Sequence, residues 1–290
     1  QTCALPIWQL YAEAYGESVG DAAAAVKAVL QGGILDEDAA QSEIKSVTAS
    51  VMDLADAFDQ DVQGATNAVG QMLRTGLAPD AETAMDIITR GFQQGADKGG
   101  DFLDTLNEYG TQFRKLGLDG ATATALISQG LQAGARDSDM VADALKEFSI
   151  RAIDGSKETV AAYDNLGLSS KKMQDDIAAG GPRAQAALGT VLQSLRDVKD
   201  PSERSAIAVK LFGTQAEDLG QALYALNPGT ASLGNVEGAA KKMSTALADN
   251  DATRIEAFKR SFMGMLQDTT GGMLGWVEEH KTAALVKIGR

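Results

Sequence analysis

Glycines divide this sequence into short segments of helical periodicity, and this division limits the possible folds more than any other feature. The 290 residues include 31 glycines and 5 prolines, so helices are permitted throughout and end mainly at glycine. Apolar residues recur at three- and four-residue spacing, and strand-like alternation is nearly absent. The sequence therefore predicts an all-α fold: a multi-helix bundle of short helices with glycine-capped turns and no sustained coiled coil.

Capping and turn residues predict where each helix begins and ends. The acidic cluster at 36–38 favours a helix start, because carboxylates complement the helix dipole there. The Asn-Pro-Gly sequence within 227–236 indicates a loop. The predicted helices cover 21–31, 36–58, 61–75, 79–95, 100–116, 119–134, 137–153, 156–165, 169–179, 182–198, 201–212, 216–226, 237–249, 251–267 and 274–288.

Two short sequence patterns occur twice. Residues 90–96 (Arg-Gly-Phe-Gln-Gln-Gly-Ala) match residues 129–135 (Gln-Gly-Leu-Gln-Ala-Gly-Ala), and an acid-capped helix follows each. Residues 113–119 and 163–169 both contain an aromatic residue, then Leu-Gly-Leu and a capping residue. The second pattern predicts a helix end, a left-handed glycine, a leucine that packs back and a new helix start.

The GxxxG spacings Gly91/Gly95 and Gly130/Gly134 have two interpretations. Such spacing can mark close helix packing. In a chain without membrane-like segments, this spacing more commonly marks helix ends and tight turns. We therefore expect these glycines to lie at helix ends.

Changes in helix length and polarity along the chain predict three units. These are a helical domain at 9–153, a region of short helices at 154–228, and a loop followed by a long, truncated helix at 229–290. Residues 1–8 are interpreted as an adapter-derived scar or a disordered tail and not as part of the fold. The reason is that Gln1 to Ile7 matches the translation of a common sequencing-library adapter. Excluding Cys3 leaves a chain without cysteine. The missing initiator Met and the helical pattern at 281–290 lead us to expect an internal fragment.

The formal net charge of −14 narrows the range of partners. An acidic surface repels phosphate backbones, so this segment is not expected to bind nucleic acid. We expect the excess of acidic residues to be spread along the chain, and the basic residues not to cluster on one surface. No run of roughly 18 apolar residues is present, so no membrane span is predicted in this segment.

The sequence offers no set of catalytic, cofactor-binding or metal-binding residues. Asp59, Asp61 and Gly64 resemble the start of a calcium loop, but glycine stands at position 70, where the loop requires a glutamate. Residues 180–183 (Gly-Gly-Pro-Arg) lack the Gly-Lys-Ser/Thr of a phosphate loop. The chain has one histidine, His280, and one cysteine, Cys3, which lies in the adapter-like stretch. From these two residues we expect neither a Ser/His/Asp nor a Cys/His catalytic set. We therefore expect no enzyme activity, no cofactor and no metal.

Several strings together resemble the helical region of siphophage-type tail tape measure proteins. They follow one another in the expected order and cover about two thirds of the chain. The most specific is the string at 211–220, Leu-Phe-Gly-Thr-Gln-Ala-Glu-Asp-Leu-Gly. The others are residues 86–92, 103–109, 130–137, 144–148 and 178–181.

This resemblance implies a structural protein that fills the lumen of the tail tube, sets tail length and leaves the tail with the DNA at infection. The implied partners are other copies of itself, the tail tube protein and tail assembly chaperones. The implied locations are the virion tail and, during assembly, the host cytoplasm. Members of this family carry membrane-inserting or wall-hydrolase segments elsewhere, and no functional residues are transferred to this region.

Two other functions remain open from the residues alone. The first is a soluble helical-repeat adaptor or scaffold protein of bacterial origin, because stacked helix pairs form binding surfaces. The second is an enzyme whose catalytic domain lies outside this segment, such as a tail-associated wall hydrolase.

Overall fold

A computed structural model describes residues 4–36 and 38–248, which form fifteen α-helices and contain no strand. The all-α prediction is confirmed. The first eight helices are α1 (Ala4–Ala12), α2 (Val19–Gln31), α3 (Gln41–Ala57), α4 (Val62–Thr75), α5 (Ala81–Gln93), α6 (Phe102–Lys115), α7 (Gly120–Gln132) and α8 (Ser138–Arg151). The others are α9 (Lys157–Asn165), α10 (Ser170–Ala178), α11 (Gly181–Asp197), α12 (Pro201–Phe212), α13 (Gln215–Leu219), α14 (Gln221–Ala225) and α15 (Ala239–Ala248).

Short acidic and hydroxyl side chains begin most of these helices. Eight N-cap side chains accept a hydrogen bond from a backbone N–H of the first turn, which otherwise has no partner within the helix. Five of these eight side chains are aspartates and three are serines. The eight N-caps are Ser18, Asp61, Asp80, Asp119, Asp137, Ser156, Ser169 and Asp200.

The Leu-Gly-Leu turns have the predicted geometry. Gly117 after α6 and Gly167 after α9 both have positive φ, at 72° and 67°. The following residue donates its N–H back to the aromatic position, from Leu118 to Phe113 O at 3.0 Å and from Leu168 to Tyr163 O at 2.9 Å. This six-to-one bond satisfies a carbonyl at the helix end and directs the chain into the next helix. The helix–turn–helix prediction is confirmed at both places.

The GxxxG glycines serve both of the purposes considered above. Gly95 and Gly134 lie at helix ends with positive φ, as predicted. Gly91 and Gly130 lie inside α5 and α7, where a Cβ would approach Phe102 to 2.6 Å and Val141 to 2.6 Å. Close helix packing, the less favoured interpretation, is therefore correct for the first glycine of each pair.

One hydrophobic core runs through most of the described chain. Helix α6 packs between α4 and α8, α7 contacts α5 and α8, and α12 and α13 cover the other side of α8. A single cluster of buried apolar residues extends from Val29 to Ala240, across both predicted boundaries at 153/154 and 228/229. The three-unit division stays a prediction. The largest fully buried side chains in the described residues include Phe102, Phe113, Phe148, Tyr163 and Phe212.

Two predicted helix bounds are wrong for tertiary reasons. Helix α3 starts at Gln41 rather than at Asp36. The residues before it form a turn instead, because the side chain of Ile34 is buried and the N–H of Ala39 donates to Asp36 O at 3.1 Å. The predicted helix at 216–226 is two short helices separated by Gly220, whose φ of 52° and ψ of −120° no helix contains.

The first residues are more ordered than expected. Helix α1 begins at Ala4, so residues 4–8 do not form a disordered tail. Leu10 is fully buried in a second, smaller cluster with Ala22, Val26 and Ile44, and this burial holds α1 against α2 and α3. Trp8, by contrast, is 52% exposed. The adapter origin of residues 1–7 concerns the gene rather than the fold and stays a prediction.

The two Leu-Gly-Leu turns offer a matched test of packing against backbone strain. A Cβ at Gly117 would overlap the carbonyl oxygen of Gly181, whereas a Cβ at Gly167 has no atom within 4 Å. Gly167→Ala should cost only the left-handed strain of about 1–2 kcal/mol. Gly117→Ala should cost roughly 1–3 kcal/mol more, because the backbone must also move. Urea unfolding measures both variants, and equal losses would contradict this account of the turn.

Candidate functional site

Long-range polar contacts of the described chain converge on one loop, which is bound by the two copies of the internal repeat. After α14, residues 226–238 run without helix, which confirms the loop predicted from Asn-Pro-Gly. The first polar residue of each repeat binds this loop. Gln129 Oε1 accepts a hydrogen bond from the N–H of Asn227 at 2.9 Å, and Arg90 Nη2 donates to Leu233 O at 3.3 Å. Gln94 Nε2 also donates to Leu233 O, at 2.9 Å.

Leu233 is the apolar anchor of this loop. Its side chain is 1% exposed while its carbonyl oxygen receives the two side-chain donors from α5. A buried carbonyl without a donor would cost free energy comparable to a lost hydrogen bond, so Arg90 and Gln94 make the burial of Leu233 possible.

A buried carboxylate on α5 then caps the start of α15. Asp86 is 4% exposed, and its two oxygens accept the N–H groups of Gly238 and Ala240, each at 2.8 Å. Gly238 precedes the helix and has no side chain with which to cap it, so α5 supplies the acceptor from more than 150 positions earlier in the chain. The negative charge also lies at the positive end of the helix dipole. These two bonds compensate the cost of burying the carboxylate.

Helix α15 lies against α3 and α5. Tyr15 donates a hydrogen bond from its hydroxyl to Asp53 on α3 at 3.3 Å, and the hydroxyl of Ser244 in α15 also favours the ionised form of this carboxyl. Burial raises the pKa of Asp53 above its ordinary value, and these two hydroxyl groups oppose the shift. The pKa of the Tyr15 hydroxyl is also raised, first by burial and then by the nearby charge of Asp53.

Two open grooves lie beside this segment. One, of about 450 Å³, separates the second half of α15 from the ends of α3 and α5; the other, of about 580 Å³, follows α11. The ionisable side chains that line them are Lys242 in the first and Arg196 in the second. Arg196 donates to the carbonyl oxygens of Tyr224 and Leu226. Neither groove brings together an acid–base pair or an activated nucleophile.

The residues considered as possible ligands form ordinary helix ends. Asp61 accepts the N–H of Gly64 at 2.8 Å as the N-cap of α4, where a helix was predicted to begin. Pro182 lies in the first turn of α11 after Gly180, which has a positive φ, again where a helix was predicted. The described residues contain no group of three or more His, Cys, Asp or Glu with metal-binding geometry. Cys3 and His280 lie outside the described residues.

The residues that bind the loop at 226–238 and α15 were not predicted from the sequence. Asp86 had a signal, since it interrupts the apolar run Ala84-Met85-Asp86-Ile87-Ile88 with a charge on a buried face. Arg90 and Gln129 also had one, because they occupy the same polar position in the two repeats. Their common ligand lies about 100 to 140 positions away, and no local pattern identifies it.

The acidic excess is not spread along the chain as expected. Residues 13–61 hold eleven Asp and Glu against two Lys, Lys27 and Lys45. This stretch contains α2 and α3 and the turns around them, so this part of the chain is strongly anionic. Among the described residues, no helix is both long enough and apolar enough to cross a membrane.

Residues 10–213 match the model of the protein family described as "Phage-related minor tail protein". The chain is 48% identical over 267 residues to the "Probable tape measure protein" of Streptomyces phage phiC31, covering 91% of this chain and 37% of that protein. It is 31% identical over 239 residues to the "Uncharacterized protein YqbO" of Bacillus subtilis (strain 168), covering 81% of this chain and 15% of that protein. No solved structure matches.

The Asp53 contact gives a pH-dependent signature. Because folding raises the pKa of Asp53 above its ordinary value of 3.8, the folded state is favoured at low pH, and this contribution is lost as pH rises through the raised pKa. Asp53→Asn keeps an acceptor oxygen but cannot ionise. Its free energy of unfolding should therefore increase relative to wild type as pH rises above about 4. Urea unfolding of both proteins between acid and neutral pH measures this, and a pH-independent difference would contradict it.

Proposed function

Since this chain belongs to the phage-related minor tail protein family, we propose that it is a segment of a tail tape measure protein, which helps set tail length and takes part in tail assembly. The observation that carries this proposal is the likeness to the phage phiC31 tape measure protein over nearly the whole chain. The chain spans 37% and 15% of the lengths of the two relatives, so the role proposed for the whole protein extends beyond this segment.

The proposed partners are those of a protein inside a tail tube: further copies of the same chain, the tail tube protein and the tail assembly chaperones. The proposed locations are the tail lumen of the virion and, during assembly, the host cytoplasm, with release alongside DNA at infection. The net charge of −14 supports a segment that does not bind DNA itself. We also propose that this segment has no catalytic activity of its own.

We further propose that this segment is a folded module and not the extended ruler itself. A continuous helix of 290 residues would be about 435 Å long at ~1.5 Å per residue. The helices described here have at most 17 residues, and they turn back on one another around one core. Turning them into one rod would expose that core to water, which the hydrophobic effect opposes.

Small-angle X-ray scattering of the isolated chain tests the module. A compact chain of this length should have a radius of gyration near ~19 Å. A rod approaching the length of a continuous helix would contradict the proposal. Gly117→Ala provides a useful comparison, because weakening the turn should expand the particle if the helices are held together by such turns.

Deletion in the phage or prophage that encodes this chain tests the function. Removing residues 41–248 in frame should shorten the tails or prevent their assembly, as electron microscopy would show. As an extended helix the deleted segment would account for about 310 Å of tail; as a compact module it should account for no more than about 50 Å. Tails of unchanged number and length would contradict the tape measure function and favour the helical adaptor.

A further inference from the structure

Helix α15 and the turn before it are held to the bundle by the Asp86 cap and by packing against α3 and α5. We propose that residues 234–248, which we call the arm, release from the bundle as a unit while the core helices α4–α8 stay folded, and that the Asp86 cap controls this release. The arm consists of the turn before α15 and α15 itself.

The arm is held by little apolar contact. Of its residues only Ala239 and Ala240 are buried, at 6% and 4% exposure. Helix α6, by comparison, buries Phe102, Leu106 and Phe113 completely. Val236 and Met243 also pack against the core but stay partly exposed. This burial contributes less than a fully buried helix face does, and a ten-residue helix is marginal in water without tertiary contacts. The cap from Asp86 is therefore one of the main contacts that keep α15 in place, together with its packing against α3 and α5.

The packing beneath α15 is also incomplete. The groove of about 450 Å³ separates its second half from Phe58 and Gln93, and the facing side chains of Met243 and Leu247 are only partly buried. Segments with few buried contacts open locally at a lower free energy than the core does.

A hinge lies at the first residue of the arm, Gly234. Leu233 is anchored by its buried side chain and by the hydrogen bonds from Arg90 and Gln94. The next residue, Gly234, is exposed and has a φ of 70°. The structure thus changes from firmly held to weakly held within one residue.

Release of the arm would move the point from which the chain continues. Residues 249–290 follow α15 in the sequence. Fifteen residues in extended form span up to about 50 Å, so this point could move by that order while the bundle remains intact. The arm would let a folded module change the direction and reach of the adjoining chain without unfolding.

The sequence provides a matched internal reference for testing release. The arm contains Lys241-Lys242-Met243, and helix α10 contains the same tripeptide as Lys171-Lys172-Met173. Trypsin cleaves after both lysine pairs only when the helix opens locally. In α10, Met173 and Ile177 are buried at 5% and 4% exposure, so this site should open less readily.

The experiment is timed trypsin digestion of the full 290-residue chain, read by mass spectrometry. In the wild type, cleavage after Lys242 should be faster than after Lys172. Asp86→Asn keeps the side-chain size but leaves one backbone N–H without an acceptor. It should accelerate cleavage after Lys242 about tenfold, the effect of losing one helix cap, and leave the Lys172 site unchanged.

Two further variants separate release from general destabilisation. Ala246→Gly lowers the helix propensity of α15 without touching Asp86, and should accelerate cleavage after Lys242 about fivefold. Asp101→Asn is the matched control, because Asp101 likewise accepts two N–H groups of another helix, those of Ser138 and Asp139 in α8. It should leave the ratio of the Lys242 rate to the Lys172 rate unchanged.

Hydrogen exchange provides the deciding outcome. Amides of 239–248 should exchange well before those of α6 in the wild type, and Asp86→Asn should widen the gap. The proposal is overturned if α15 and α6 exchange together, or if Asp86→Asn accelerates cleavage at both lysine pairs equally. Those outcomes would mean that the arm opens only when the whole bundle unfolds.

Discussion

The bundle depends on backbone reversals at the ends of short helices. At Gly117 the chain adopts a positive φ, and the next residue, Leu118, returns its N–H to Phe113 O and buries its side chain. One turn therefore ends a helix, satisfies its carbonyl group and fixes the direction of the next helix. Gly181 O lies so close to Gly117 that a side chain there would overlap it. The same turn that reverses the chain also brings α11 against α6.

Within that framework, polar side chains join parts of the chain that are distant in sequence. Asp86 on α5 caps α15, and Arg90, Gln94 and Gln129 hold the loop that leads to it. The two copies of the internal repeat thus bind the same loop, residues 226–238. A buried carboxylate is costly unless it is fully hydrogen-bonded, so the position of α15 is tied closely to the geometry of α5.

The contacts that build the turns and those that place α15 differ in their separation along the sequence. The turns join residues a few positions apart, whereas the loop and α15 are held by partners about 100 to 150 positions away, and contacts of that separation carry a larger loop-closure cost. The strongly acidic stretch at 13–61 keeps its part of the module well solvated. This stretch includes α3, against which α15 of the arm packs, and the sequence runs on from α15 beyond residue 248.

The sequence by itself determined the helical class, most helix bounds and the form of the turns, because capping residues, apolar periodicity and positive-φ glycines act over a few residues. It also carried enough of the tail-protein pattern to identify the family. Only the tertiary structure decided that α3 starts at Gln41, that Gly220 divides a predicted helix, and that Asp86 caps α15. In each case the decisive partner or packing surface belongs to the folded chain. Local propensity favours one conformation by a few tenths of a kcal/mol to about 1 kcal/mol per residue, which the burial of a side chain such as Ile34 can outweigh.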